Sequence, residues 1–248
     1  MQPKRAQTGA LAWYSLGWQW FMVNPVTWVL LIAVYFLFLL LFQLTPVIGP
    51  LVGAVLLPGL TAGLLIAAKK SSQGITISIH DLFTALMKSE NRFGLLHLGM
   101  ISLAVALLSG FAIYSIGGDS LMSVLSQSNP ADLSEDSMEL IQAQMPTLML
   151  IMLSMSAITA MLFMYAIPLV TFEGVPAFTA VKASIWTSII NMLPLTLFGL
   201  LYMIFAMLAS LPLMLGFLVL IPVTICAWYA SYVDIFGHKT DSEITTIV

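Results

Sequence analysis

Methionine is the residue type with the most evident chemical potential in this sequence. The chain carries 16 methionines among 248 residues, and Met145, Met149 and Met152 have the spacing of one helical face. Thioether sulfurs bind Cu(I), but methionine also fills gaps in apolar cores. No cysteine or histidine accompanies the row, so core packing is favoured over a copper path, and we expect no metal site.

Groups able to support acid–base chemistry are scarce. The histidines, His80, His97 and His238, form no metal-binding motif such as H-E-x-x-H, and Cys226 is the single cysteine. No Asp, Glu, Lys or Arg occurs within the long apolar runs, where a charge costs about 2.5–3.5 kcal/mol and is retained mainly for function. The sequence therefore predicts a protein without catalytic residues or cofactors, and not an enzyme.

The composition is that of a membrane protein. Hydrophobic residues make up 60% of the chain, charged residues 8%, and the mean hydropathy is +1.03. Six apolar runs are long enough to cross about 30 Å of hydrocarbon as helices. We predict an all-α, polytopic bundle of six transmembrane helices in one integral membrane domain, 1–248. The spans are predicted at residues 25–44, 47–68, 93–116, 147–170, 192–209 and 213–232.

Three shorter amphipathic segments precede the pairs of spans. They lie at about 8–23, 79–90 and 176–190, and each ends at an asparagine (Asn24, Asn91 or Asn191). In the first segment Leu11, Tyr14, Trp18, Phe21 and Met22 share one helical face. Their aromatic and apolar stripes predict helices that lie flat at the membrane interface, with anchoring as their simplest role.

A threefold internal repeat of surface helix, span and returning span is predicted from these segments. The units cover 8–69, 78–172 and 175–236, and they leave a tail at 237–248. Each returning span contains a proline, at Pro58, Pro168 or Pro222, and Phe-Thr-Ala recurs at 83–85 and 178–180. These prolines are candidate packing or hinge positions.

Glycines mark the second span as a packing helix. Gly49, Gly53, Gly59 and Gly63 form two G-x-x-x-G pairs, the spacing that lets helix backbones approach closely in lipid. Packing inside one bundle is favoured over homodimerisation, and the oligomeric state stays open.

The distribution of charge predicts the orientation. All eight basic residues lie before the first span, after the even-numbered spans or in the tail, and none lies in the three opposite loops. By the positive-inside rule, both termini and the three surface helices are cytoplasmic. The acidic loop 117–145 is then outside, and we expect a multi-pass protein of the bacterial inner membrane.

Two functions remain open from the residues alone. The first is a non-enzymatic scaffold or accessory subunit that interacts with other inner-membrane proteins or with the lipid bilayer. The alternative is a permease or carrier for an apolar or zwitterionic small molecule or a lipid. In a lateral cleft, Asn24, Asn191, Tyr165 and Glu173 are candidate polar contacts. Neither the net charge of −3 nor any basic cluster indicates a nucleic-acid partner.

A set of structural motifs runs through most of the chain. It comprises Ala166, Pro168-Leu169-Val170, Gly174, Pro176, Ala180, Lys182-Ala183-Ser184, Asn191, Tyr229-Ala230-Ser231-Tyr232, Asp234-Ile235-Phe236, Gly17-Trp18, Trp20, Asn24-Pro25 and Pro46-Val47-Ile48-Gly49-Pro50. On these residues the chain resembles the BPSS-type family of uncharacterised bacterial inner-membrane proteins, which is similar to the YciC-like membrane proteins. The resemblance implies a six-helix inner-membrane protein and supplies no activity or site residues. Those relatives often carry a basic residue before the final Asp, where this chain has Val233.

Overall fold

A computed structural model describes residues 4–45, 47–87, 91–126 and 135–237, which form an all-helical bundle. The helices within these ranges are α1 Ala10–Val23, α2 Pro25–Gln43, α3 Ile48–Ser72, α4 Asp81–Met87, α5 Arg92–Ser126, α6 Glu135–Phe163, α7 Ala166–Glu173, α8 Ala177–Ile190, α9 Met192–Ser210 and α10 Phe217–Phe236.

In the described part of the chain, six helical stretches are long and apolar enough to cross a membrane. This confirms the predicted all-α architecture with six candidate transmembrane helices. The stretches are Pro25–Gln43, Ile48–Ser72, Arg92–Ser115, Met145–Glu173, Met192–Ser210 and Phe217–Phe236. The fourth is interrupted where α6 ends and α7 begins.

Two of the spans form the centre of the bundle. More than half of the apolar window is buried in α3 and α10, 56% and 61%, against 11–17% in the other four. Small residues allow this packing: a Cβ on Gly17 of α1 would lie 2.6 Å from the Val223 carbonyl oxygen of α10. Helices that approach so closely gain dispersion contacts, which are the main source of helix association in lipid.

Several spans begin or end close together at one end of the bundle. There, Asn24 Nδ2 donates to the Ile75 carbonyl at 3.4 Å and Trp28 Nε1 to Ser71 Oγ at 3.1 Å. We call this the basic end, because it carries the basic residues of the described ranges: Lys4, Arg5, Lys69, Lys70, Arg92 and Lys182. Lys88 and Lys239 lie outside the described residues.

Several element bounds differ from the sequence expectation. Helix α5 continues to Ser126 and helix α6 begins at Glu135, so both extend into the segment 117–145 that was expected as an external loop. A helical backbone does not require apolar side chains to continue. Residues 127–134 lie outside the described part. The last span begins at Phe217 and not at 213, because Leu213 and Met214 have φ of 50° and 64°, which a right-handed helix does not allow. The second surface helix is described over Asp81–Met87.

Candidate functional site

The fourth span is broken at Met164 and Tyr165, between α6 and α7. Pro168 has no N–H, so the Met164 carbonyl cannot accept the usual hydrogen bond from four residues ahead. Trp228 of α10 supplies the missing donor, since its Nε1 lies 2.6 Å from the Met164 carbonyl oxygen. The break is therefore compensated by a side chain from a central span.

Ser184 of α8 bonds to two backbone groups at the same break. Its hydroxyl accepts a hydrogen bond from the Tyr165 N–H at 3.0 Å and donates one to the Met161 carbonyl at 2.7 Å. In a continuous helix these two backbone groups would bond to each other. The serine hydroxyl is thus inserted into the helical hydrogen-bond ladder, which is one established cause of a helix kink.

The side chain of Tyr165 lies inside the protein. Tyr165 has no exposed surface, its hydroxyl is 3.4 Å from Ser231 Oγ, and its ring centroid is 5.7 Å from that of Phe236. Within the described residues, its contacts are with the protein's own interior.

Asn191 fixes the N-terminal segment, residues 4–9, which we call the strap. The side chain is 1% exposed; its Oδ1 accepts from the Ala6 N–H at 2.7 Å, and its Nδ2 donates to the Lys4 carbonyl at 3.2 Å. The Lys4 N–H in turn donates to the Ile235 carbonyl at 3.2 Å. The strap therefore joins the start of the chain to the ends of α8 and α10.

Asp234 is a second anchor of the strap, and sequence reasoning named it only as part of a motif, without a contact or a role. Its Oδ2 accepts from the Thr8 N–H at 3.1 Å, the Thr8 hydroxyl at 2.9 Å and Trp13 Nε1 at 3.0 Å, and its Oδ1 accepts from the Gln7 N–H at 3.3 Å. A carboxylate at a helix N-terminus satisfies donors that have no partner within the helix. Asp234 instead bonds to the N–H groups of Gln7 and Thr8, which precede α1, and to the Trp13 side chain within the first turn of the helix. The available signal was a carboxylate at the end of an apolar helix with no basic neighbour in sequence.

The remaining candidate cleft contacts also bond within the protein. Tyr232 donates its hydroxyl to Glu173 Oε1 at 3.2 Å, and Lys69 Nζ lies 5.1 Å from the centroid of the adjacent Phe172 ring. Asn91, the counterpart of Asn24 and Asn191, donates Nδ2 to the Thr171 carbonyl at 3.3 Å. All three asparagine side chains thus donate to backbone carbonyls at the basic end.

Asp81 of α4 is a buried carboxylate. Its Oδ1 pairs with Lys70 Nζ at 2.6 Å, and its Oδ2 accepts from the Ser78 N–H, three residues earlier, at 2.9 Å, which is one of the two bonds of a capping box. This residue is 3% exposed, because the ion pair with α3 draws the carboxylate into the protein. A buried carboxylate requires such a partner.

The predicted packing residues lie against two different helices. Gly49 and Gly53 face Phe42 of α2, whereas Gly59 and Gly63 face Leu86 and Leu82 of α4. The prolines differ as well. Pro58 and Pro222 are buried within α3 and α10, whereas Pro168 lies in the first turn of α7.

The outer faces of α1 and α8 carry large apolar side chains. On α1, Leu11, Trp18 and Met22 are at least half exposed, while Tyr14 and Phe21 are buried, so the stripe expected on one face is split. On α8 the buried face combines small and aliphatic residues with several hydroxyl and amide side chains, whereas three large apolar side chains are exposed. The buried polar set is Ser184, Thr187, Ser188 and Asn191, and the exposed set is Phe178, Trp186 and Ile189.

The methionine row faces outward. Met145, Met149 and Met152 are 49%, 66% and 60% exposed, so they do not pack in the core as expected. An apolar thioether on an outer span can contact lipid without cost, which explains why core packing is not needed. His80 and His97 are exposed, and His238 lies outside the described residues. Across the ranges that the structure describes, no group of three His, Cys, Asp or Glu residues is placed to hold a metal ion.

An open groove of about 650 Å³ runs between α1, α9 and α10. Its walls include Leu11, Tyr14, Trp18, Phe205, Leu208 and Val219. The Tyr14 hydroxyl donates to the Phe198 carbonyl at 3.4 Å, and burial raises the pKa of Tyr14 to about 12. The phenol therefore stays neutral at physiological pH. Tyr165, Asn191 and Glu173 do not line this groove.

Six helical stretches long and apolar enough to cross a membrane define a class, the integral multi-pass membrane protein. The chain is similar to a Burkholderia thailandensis protein described as a "Probable inner membrane protein", with 28% identity over 256 residues, 94% of this chain and 92% of the relative. This similarity supports a group of inner-membrane proteins of comparable length. No family model matches the sequence, and no solved structure matches it.

Proposed function

We propose that this chain is a non-enzymatic scaffold or accessory subunit of the bacterial inner membrane, which contacts lipids and other membrane proteins through its surface helices. The observation that carries the proposal is the outer face of α8. Phe178, Trp186 and Ile189 are 67%, 58% and 51% exposed there, although smaller polar residues of the same helix are buried. Such a helix has an apolar partner on its outer side.

Lys182 supports placement of this face at the headgroup level. Its Nζ lies 4.5 Å from the centroid of the Phe178 ring, so the charge and the aromatic ring occupy the same outer stripe. Aromatic residues beside a lysine are typical of the membrane–water interface, where the ring is apolar and the ammonium meets phosphate. Trp18 and Met22 give α1 a similar outer face.

The closed interior supports a scaffold over a transport function. The polar side chains of Tyr165, Asn191 and Ser184 are buried, and each bonds to another part of the protein. Groups that coordinate a transported solute would instead leave donors or acceptors directed at a cavity.

The orientation belongs to the same proposal. We place both termini and α1, α4 and α8 in the cytoplasm, with 117–145 outside, because the basic residues collect at one end. We also assign the chain to the BPSS-type, YciC-like group and treat its three helix–span–span units as repeats. The three asparagine-to-carbonyl bonds at the basic end support that repetition.

Photo-crosslinking in intact cells tests the scaffold. A benzophenone amino acid replaces Phe178 or Trp186, and the matched control replaces Leu107 on the outer face of α5, which is 57% exposed. We expect the α8 positions to give a discrete set of adducts with a membrane protein or headgroup-proximal lipid that the control lacks. Identical adduct patterns at all three positions would remove the support for a specialised surface.

Cysteine accessibility tests the orientation. The single native thiol, Cys226, is buried, so an introduced cysteine is labelled against a low background. Asp136→Cys is expected to react with a membrane-impermeant maleimide from outside the inner membrane, and Lys182→Cys only after permeabilisation. The reverse pattern contradicts the proposed topology.

The interrupted span favours a second candidate, a carrier for an apolar or zwitterionic solute or a lipid. Many transporters place discontinuous helices at their binding sites, and here the break lies at Met164 and Tyr165. Uptake or lipid exchange by protein-containing liposomes, abolished by Ser184→Ala, would support the carrier. Equal rates of uptake and lipid exchange with and without the protein would contradict the carrier and leave the scaffold as the proposed function.

A further inference from the structure

The groove between α1, α9 and α10 has apolar walls that are not filled by the protein. Two of its three walls are membrane-spanning helices, so the groove faces the hydrocarbon layer along part of its length. The lining residues are apolar apart from the hydroxyls of Tyr14 and Ser15 and the indole N–H of Trp18, and no lining residue is charged. Water would find too few polar partners there, because an ordered water needs two to four.

The volume of the groove limits what can fill it. The groove has a volume of about 650 Å³ and is open to the outside of the bundle. The volume falls in the range of sites that hold one small or chain-like ligand.

The α1 wall is fixed before any ligand arrives. Asp234 and Asn191 hold the strap at the start of α1, and the α1 backbone contacts α10 at Gly17. At the opposite end, Gly216 lies so close to Ala209 that a Cβ there would be 2.6 Å from the Ala209 Cα, which closes the gap between α9 and α10. A rigid groove with a closed floor costs little ordering on binding.

We propose that one acyl chain of a membrane lipid occupies this groove as a specific site, distinct from the lipid that surrounds the outer spans. The proposal goes beyond the scaffold function, which concerns the outer face of α8. The attraction comes from packing, because a lipid tail in the bilayer is as apolar as the groove. A chain in a fitted groove contacts protein on three sides, whereas a chain on an outer span contacts it on one.

Photoreactive lipid mapping tests the site. Full-length protein in detergent is supplied with a sub-stoichiometric amount of phosphatidylethanolamine that carries a diazirine on one acyl chain. After irradiation, peptide mass spectrometry locates the adducts. We expect adducts on the segments 11–18, 205–209 and 216–223, and few on α2 or α5.

Two matched substitutions make the test decisive. Ser15→Trp places an indole in the groove and is expected to abolish these adducts. Gln19→Trp adds the same side chain to α1 outside the groove lining and is expected to preserve them. Unchanged thermal unfolding and elution volume show that both variants are folded, and Val219→Trp replaces Ser15→Trp if the latter is not. Adducts spread evenly over all spans, or equal yields in both tryptophan variants, overturn the proposal.

Discussion

The central and outer spans of this bundle meet different requirements. Most of α3 and α10 is surrounded by protein, and small residues such as Gly63 and Ala227 let neighbouring backbones approach. The outer spans α2, α5, α6 and α9 expose large residues such as Leu107 and Met203, which are 57% and 62% exposed. Packing specificity is thus concentrated in two helices, while the other four mainly need to be apolar.

Polar contacts follow the same division. The central α10 supplies Trp228, Ser231 and Asp234 to hydrogen bonds with distant segments. On the outer α5 and α6, hydroxyls such as Ser109 and Thr159 bond to carbonyls four residues earlier in their own helix. Substitutions should therefore have large effects at the centre and small ones outside.

The largest effect is expected from Gly63→Leu in α3. A side chain at this position meets the Leu82 backbone of α4, which cannot move as a side chain would. We expect a loss of about 3 kcal/mol or more in the free energy of unfolding, or no folded protein. Thermal unfolding in detergent, followed by elution volume, measures the change.

The matched control is Gly110→Leu in the outer α5, where no atom lies within 4 Å of an added Cβ. It should leave the unfolding free energy within about 0.5 kcal/mol. Equal losses at the two glycines would mean that α3 is no more tightly packed than α5.

Asp234→Ala should have the next largest effect. It removes the acceptor for the Thr8 and Gln7 N–H groups and for Trp13 Nε1, and bonds to a charged group contribute about 1.5–3 kcal/mol. We expect about 2 kcal/mol of destabilisation and faster hydrogen exchange in residues 7–13. Asp234→Asn keeps one acceptor oxygen and should therefore lose less stability. Unchanged hydrogen exchange of residues 7–13 in the alanine variant would contradict the role of Asp234 as an anchor of the strap.

Ser184→Ala should cost about 1–2 kcal/mol. The substitution leaves the buried Tyr165 N–H and the Met161 carbonyl without the hydroxyl that joins them. Chemical unfolding in mixed detergent measures the free energy of unfolding.

The control is Thr159→Ala on the outer α6, which removes only a hydroxyl bonded to Met155 of its own helix. It should change the free energy of unfolding by less than about 0.5 kcal/mol. A larger loss at Thr159 would reverse the ranking.

The smallest effect is expected from Leu107→Ala on α5. Lipid can replace the contacts of an outward leucine, so we expect a change within about 0.5 kcal/mol in unfolding measured in bilayers. The internal reference is Leu64→Ala in α3, where the leucine side chain is only 1% exposed. This variant should lose about 2–5 kcal/mol in the free energy of unfolding, because the substitution leaves a cavity. Similar losses at both leucines would show that α5 is also enclosed.

Hydropathy was sufficient for the number and type of the spans, because each apolar run is about as long, as a helix, as the hydrocarbon core of a bilayer is thick. Hydropathy did not predict which face of α1 is buried. That helix is apolar on nearly every side, so periodicity grouped Tyr14 and Phe21 with Trp18, whereas the structure buries the first two. A pattern that lacks a polar side cannot indicate which apolar side faces the protein.

The polar contacts could not be predicted from the sequence, for another reason. Asp234 and Trp13 are 221 residues apart, and no local pattern links a carboxylate to an indole N–H at that separation. The same applies to Ser184 and Trp228, which compensate the break near Pro168. The proline indicated that a hydrogen bond would be missing, but only the packed helices determine which side chains replace it.

The bond between the strap and α10 imposes an order on biogenesis. The first helix, α1, leaves the ribosome long before its partner Asp234, and at about 5–20 residues per second the 221 intervening residues take roughly 11–44 s. During that interval Trp13 and Trp20 lack their final partners, which lie on α9 and α10. The earliest part of the chain thus completes its packing last, and the docking of α1 reports that synthesis has reached the end of α10.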